Sequence, residues 1–444
     1  MSDRSASASR RGLLLGGVAA GAGAAGLGAG LLVGGRNDGT RAVNGGETTS
    51  SSGTAQSSGT AQSTGTTGNS LGQGATDASD PAATASAQLT HPFHGTHQAG
   101  IETPPAAKLL LIALDLRDGT DRDGITRMLR LLSDDAARLT AGTAPLADPE
   151  GELAGRPAGL TVTVGFGPRL VERAGMPAPE WLRPLPGFGV DRLEDRWSGG
   201  DLLLQISSDE FQTVSHAARM LLKDARRWTT IRWRQQGFRA PAAPAVPSGS
   251  MRNLFGQVDG TSNPQPGTDE FARVAWIPDG PWQHGSSLVL RRIRMDLDGW
   301  DELDRPGREL ALGRRLTDGA PLTGKHELDE PDFAATSANG FPIIPEFSHV
   351  RAARGEEAGG KPMQQIVRRA YNYDDPAIDA DQLSDSGLLF LSFQADPVAQ
   401  FVPIQQRLDK LDLMNKWTTP IGSAVFAIPP GCGERGFLGE SLLG

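Results

Sequence analysis

The 444-residue chain is long enough for two or three domains and a sizeable core, and 38 % of it is hydrophobic, an ordinary globular share. With 43 basic against 52 acidic side chains its formal charge is −9, which argues against nucleic acid as a partner, because phosphate binding needs a basic surface. Cys432 is the single cysteine, so no intrachain disulfide can form and no cysteine cluster can hold zinc or an iron–sulfur centre.

The first elements are not fold but address. "SRRGLLL", Ser9 to Leu15, sets an arginine pair directly before an apolar Gly/Ala-rich run that reaches about Val33. This is the layout of a twin-arginine signal, here taken as residues 1–35, and it predicts export of the folded protein to the envelope, the periplasm or the exterior. So many glycines make a poor core helix. Residues 36–90 are mostly Ser, Thr, Gly and Ala with almost no large apolar side chain, a composition that cannot offset the entropy of ordering and predicts a flexible tether.

Structure is expected from "HPFHGTHQAGIETP" onward, with an N-terminal module over 91–240. "KLLLIALDL" is an apolar run of strand length, and a helix follows from about Asp121 to Leu139. "LTVTVGF" is the second strand, a short helix starts at Pro168, and "LLLQI" is the third strand. Ser207 with Glu210 reads as a capping box for a helix that presents Phe211, Val214, Ala218, Leu221 and Leu222 on one face. "TTIRWR" closes the module. The order β-α-β, β-α-β is the ferredoxin-like pattern.

The second module, 241–444, repeats that order. "SSLVLRRIRMDL" answers "KLLLIALDL" and leads into a helical stretch. "GLLFLSF" runs through Asp396 and Pro397, a capping residue and a first-turn proline, into a helix bearing Phe401, Ile404, Leu408 and Leu411. "SAVFAIP" is the closing strand. The fold class expected is therefore α+β: two ferredoxin-like modules with antiparallel sheets. Between these patterned stretches, about Gly237 to Pro281 and Gly324 to Asp385 read as long irregular segments, which in a compact domain usually carry function.

Those segments hold most of the candidate chemistry. "HPFHGTH" spaces His91, His94 and His97 by three, but in a Gly/Pro context that does not put three imidazoles on one helix face. His216 lies in a helix, where a structural or surface role is the ordinary one. "NLFGQVDGTSNP", Asn253 to Pro264, pins Asp259 between glycines that permit a tight turn. A lone Asp-Gly turn would read as an Asp capping its own backbone.

Five stretches in order, "PFHGTHQAGIETP", "FGQVDGTSNP", "SHVRAARG", "VRRAYNY" and "LLFLSFQ", ending in "IGSAVFAIPPG", resemble the dye-decolorizing peroxidase family, in its exported bacterial, deferrochelatase-like branch. The resemblance spans about His91 to Cys432. It implies a dimeric α+β barrel-like fold with one haem b per chain, housed in the C-terminal module. Carried across residue by residue, it makes His349 the iron ligand, Asp259 the distal acid and Arg368 the distal arginine, with Arg369 as the alternative. Gly260, Thr261 and Ser262 would line the haem edge, and Arg351 and Arg354 would sit beside it. This chain continues "HVRAARGEE" where the family commonly has an Asn-Pro-Arg, so Arg354 stands in as the propionate partner.

These residue types suit the chemistry. Haem iron wants one neutral imidazole, and the polar groups opposite decide what happens to bound oxygen species. A carboxylate can carry the peroxide proton from one oxygen to the other, while a fixed guanidinium stabilises the charge on the departing oxygen. The resemblance therefore implies a peroxidase that reduces hydrogen peroxide and oxidises dyes or other organic reductants. Bulky reductants would pass electrons through some of the eight Trp or through Tyr371 and Tyr373. Two other readings stay open: a haem-handling, iron-releasing protein, and a peroxidase partner of an exported copper oxidase. The export machinery and a second copy of the chain are the remaining partners expected.

Overall fold

The structure is a computed structural model that describes residues 86–240, 250–355, 364–377 and 384–443. The signal segment and nearly all of the Ser/Thr/Gly/Ala stretch lie outside the described residues. The last five residues assigned to that stretch do not belong to it. Ala87 is buried and its carbonyl takes the Ala158 N–H at 3.0 Å, while Thr90 bridges Leu160. No helix among the described residues is long and apolar enough to cross a membrane.

The N-terminal module runs β1 (Lys108–Leu116), α1 (Arg122–Thr140), β2 (Thr161–Phe166), α2 (Pro168–Arg173), β3 (Leu202–Ser208), α3 (Phe211–Ala225) and β4 (Thr229–Phe238). Next come a small hairpin, β5 (Met251–Arg252) with β6 (Val258–Asp259), and α4 (Asp269–Ala275). The C-terminal module continues with β7 (Ser286–Met295), α5 (Leu297–Asp301), α6 (Arg305–Leu312), α7 (His349–Arg354), β8 (Val367–Arg368), β9 (Tyr371–Asp375), β10 (Asp385–Gln394), α8 (Phe401–Leu411) and β11 (Thr418–Ile428).

Strand order within each half is β2-β3-β1-β4 in the first and β11-β7-β10-β9 in the second, every pair antiparallel, the same arrangement in both. The two sheets join into a ring. β11 meets β2 through one register pair, Ala427 with Phe166, and β4 meets β9 through Phe238 with Asn372. Most strands of this ring are buried on both faces, which explains their continuous apolar runs in place of alternation; β4 is the exception, with Trp233, Gln235 and Gly237 buried and Arg232, Arg234 and Gln236 exposed. Along β1, Leu110, Ile112 and Leu114 face the core under α1 and α3, whereas Leu109, Leu111 and Ala113 face the barrel interior with Phe393 and Phe426.

Two helix-start assignments need correction. Ser207 is consumed by β3 and its hydroxyl is buried, so it cannot cap α3. The cap residue is Glu210 itself, whose carboxylate instead receives Arg156 at 2.6 Å, and Phe211 is exposed, off the buried face. On the other side Asp396 does accept from Val398 and Ala399 N–H groups, but this closes a turn, and α8 begins only at Phe401. Leu411 ends that helix exposed.

The segments read as irregular also contain short regular pieces. β5, β6, α4, α7, β8 and β9 all fall inside them. Strands of two residues are too short to show a period. It is these pieces that carry the candidate chemistry.

Candidate functional site

The β5–β6 hairpin is built by Asn253. Its carboxamide oxygen accepts the N–H groups of Phe255 and Gln257, both at 3.1 Å, and Gly256 follows in the left-handed region at φ +77°. Asn372 of β9 donates to the Arg252 carbonyl at 3.0 Å and Gln257 reaches the Met414 sulfur at 3.7 Å, so the hairpin is docked at both flanks. Asp259 ends β6, and Gly260, at φ +106°, turns the chain sharply away from it, as the glycine pattern predicts.

Arg368 lies on β8, next to β10, and its Nη1 is 3.2 Å from Asp259 Oδ1. Both side chains are largely but not fully covered. Arg369 points elsewhere: its guanidinium is buried and donates to the Thr103 and Pro104 carbonyls, which rules it out as the partner of Asp259. Burial lowers its pKa, with Tyr371 acting in the opposite direction.

His349 opens α7. Its Nδ1 is 2.6 Å from Asp412 Oδ2, a residue at the end of α8 whose other oxygen accepts the Met414 N–H at 2.9 Å. Nδ1 being engaged, Nε2 is the nitrogen left for a metal. Burial opposes protonation of this imidazole, but the Asp412 carboxylate outweighs it and holds the pKa above its ordinary value. Arg368 lowers that pKa and Asp259 raises it, so both lie within electrostatic reach of the ring.

Further guanidinium groups gather nearby. Arg354 pairs with Glu330 at 2.6 Å, and Arg351 donates to the Ile344 carbonyl with its guanidinium 5.6 Å from the Phe333 ring. Arg314, absent from the sequence reading, is buried and donates to the Gly319 and Glu327 carbonyls. Burial lowers its pKa most and Arg368 and Arg354 lower it further, while Glu327 and Glu330 act in the opposite direction, so Arg368 and Arg354 lie within electrostatic reach of Arg314, among two carboxylates. Thr261 turns its hydroxyl to Glu327 at 2.9 Å and Ser262 is exposed, so neither hydroxyl is simply offered to the site's interior.

The other histidines do not gather. His97 stacks on Trp276 at 3.8 Å and bonds the His284 carbonyl, His94 approaches Cys432, and His216 pairs with Asp148 at 2.9 Å. No group of three His, Cys, Asp or Glu fit to hold a metal ion occurs among the described residues.

The donor set fits haem. It offers one imidazole with its second nitrogen held by a carboxylate, a carboxylate–guanidinium pair in electrostatic reach of that ring, and extra cations for propionates. Such a site on a barrel of two ferredoxin-like halves defines a haem-dependent oxidoreductase.

Comparison with known proteins agrees. Models of the Dyp-type peroxidase match in two parts, the N-terminal one over residues 98–239 and the C-terminal one over 250–433. The chain belongs to the Dyp-type peroxidase family and is a haem peroxidase. It is 39 % identical to the dye-decolorizing peroxidase of Thermobifida fusca over 363 residues, 78 % of this chain and 83 % of that protein. A deferrochelatase of Yersinia pestis bv. Antiqua is 33 % identical over 372 residues, 79 % of this chain and 84 % of that one. Among solved structures, a DyP-type peroxidase from Cellulomonas bogoriensis superposes with a TM-score of 0.76 at 49 % identity, covering 81 % of this chain and 99 % of that one. Ferric DtpA from Streptomyces lividans gives 0.76 at 40 %, covering 81 % and 98 %.

Sequence reasoning missed Asp412, Arg314 and Asn263. Asp412 had no local signal, since it lies 63 residues beyond His349 and reads as an ordinary helix-end acid. Asn263 stood inside the motif that held Asp259 but was given no role.

Proposed function

We propose that His349 Nε2 would hold the iron of haem b, with Asp412 fixing the ring through Nδ1, and that Asp259 and Arg368 are the catalytic pair. The observation that carries this reading is the 3.2 Å Asp259–Arg368 contact within electrostatic reach of His349. When bound, the haem would supply the redox-active iron at which hydrogen peroxide is reduced. The Asp259 carboxylate takes the proton from the inner peroxide oxygen and returns it to the outer one, which leaves as water. Arg368 stabilises the negative charge that gathers on that departing oxygen. Arg314, Arg351 and Arg354 are the cations offered to the propionates. Reductants too large for the site, dyes among them, deliver electrons through aromatic side chains nearer the surface.

We also read Ser9 to Leu15 as a twin-arginine signal, so the folded protein leaves the cytoplasm. A second reading, release of iron from haem, draws support from the relative named deferrochelatase. Two measurements test these proposals. Haem titrated into the purified protein gives a Soret band that His349→Ala should abolish. Dye turnover with peroxide, set against iron release from intact haem, decides between the two activities.

A further inference from the structure

β8 is two residues long and has a neighbour on one side only: it pairs with β10 through Arg368 opposite Ser392 and Val367 opposite Phe393. In an antiparallel ladder the N–H and C=O of one residue point to the same side, and successive residues alternate. Arg369 N–H turns to β10, donating to the Leu391 carbonyl at 2.8 Å, so the backbone groups of Arg368 point the other way. There they meet one side chain. Arg368 N–H donates to Asn263 Oδ1 at 2.9 Å, and Asn263 Nδ2 donates to the Arg368 carbonyl at 2.6 Å.

A primary carboxamide carries a donor and an acceptor in one plane, as a peptide unit does. We infer that Asn263 takes the place of a neighbouring strand at Arg368 and is a positioning residue of the distal site. The two are 105 residues apart. Asn263 closes its own turn by donating its N–H to the Gly260 carbonyl at 3.1 Å, and Thr261 pins the same turn to Glu327. Asp259 enters that turn and Asn263 leaves it, so the acid and the backbone of the arginine hang on one piece of chain. A long arginine side chain on an unsecured edge strand could not keep a 3.2 Å contact with a fixed geometry. Asn263 supplies the missing constraint.

The inference rests on Arg368 being the distal arginine. Haem-loaded wild type, Asn263→Ala, Asn263→Asp, Arg368→Leu and the Asn263→Ala/Arg368→Leu double variant are mixed rapidly with hydrogen peroxide. Amide hydrogen exchange at Arg368 is followed in parallel. Asn263→Ala should slow the reaction about 10- to 100-fold, the effect of a misplacement of about 1 Å, and should expose the Arg368 amide to exchange. In the Arg368→Leu background the same change should add almost nothing, because the group it positions is gone. Asn263→Asp keeps the acceptor and loses the donor, so its rate should fall between wild type and Asn263→Ala; it also serves if the alanine variant does not fold. An equal loss in both backgrounds, or an unchanged rate in Asn263→Ala and Asn263→Asp, overturns the inference. A normal rate in Arg368→Leu removes the distal assignment itself, whereas a slow Arg368→Leu beside a normal Asn263→Ala removes only the role of Asn263.

Discussion

Replacing Asp412 with Asn tests how His349 is held, because both carboxylate oxygens are in use. Oδ2 takes the His349 Nδ1–H at 2.6 Å and Oδ1 takes the Met414 N–H at 2.9 Å. A carboxamide offers one oxygen and one NH₂, so in either orientation one of those N–H groups faces another donor. The Asp412 side chain is only 4 % exposed, so solvent has little access to relieve the mismatch. A hydrogen bond to a charged group contributes about 1.5–3 kcal/mol. Loss of an outer partner of a metal-bound histidine costs about 10- to 100-fold in affinity, or roughly 1.4–2.7 kcal/mol. The two estimates coincide. Haem titrated into haem-free wild type and Asp412→Asn should therefore give dissociation constants that differ by about one to two orders of magnitude, with thermal unfolding as the control for folding. An unchanged haem affinity in a folded variant would refute the reasoning.

Arg368→Leu should slow the reaction with hydrogen peroxide by about 100-fold or more, the loss typical of one preorganised donor, with haem content unchanged. Asp259→Ala should slow it as well, and wild-type rates in both would sink the proton-transfer assignment. Asp224 of α3 lies within electrostatic reach of Asp135 of α1, and burial, then Asp135, pushes its carboxyl up to about 8. The folded chain thus keeps a proton that the unfolded chain releases near pH 4. That stabilisation is complete below about 4 and is lost as pH rises toward 8. Asp224→Asn should flatten the dependence of the urea midpoint on pH across this window and exceed wild type at its upper end; a parallel profile would count against the pair. Replacing Arg10 and Arg11 by Lys should retain the protein in the cytoplasm, as cell fractionation would record.

Seven of the eight ring strands were legible, most of them because a strand buried on both faces writes itself as an apolar run, as "KLLLIALDL" and "SSLVLRRIRMDL" do, whereas β9 fell inside a segment read as irregular. Asp259 was legible because two glycines bracket it. The His349–Asp412 pair was not: nothing near Asp412 distinguishes it from a helix-end acid, and its partner is brought to it by the packing of α7 on α8. Ser207 misled for the opposite reason, since a sound local capping pattern lost to the sheet, where β3 claimed the residue. Arg314 carries no pattern at all, for its meaning comes from which guanidinium groups lie around it in space.

A sheet that closes on itself offers no outer strand to another molecule. Unpaired strand edges are templates on which chains add to one another, and open sheets usually need charges, prolines or bulges to discourage this. Here, among the described residues, the large sheet leaves only β8 with one neighbour, and the Asn263 carboxamide already occupies its outward groups at Arg368. Closure thus gives every ring strand a second neighbour, though β11 with β2 and β4 with β9 meet at a single register pair each, and the net charge of −9 adds long-range repulsion between copies.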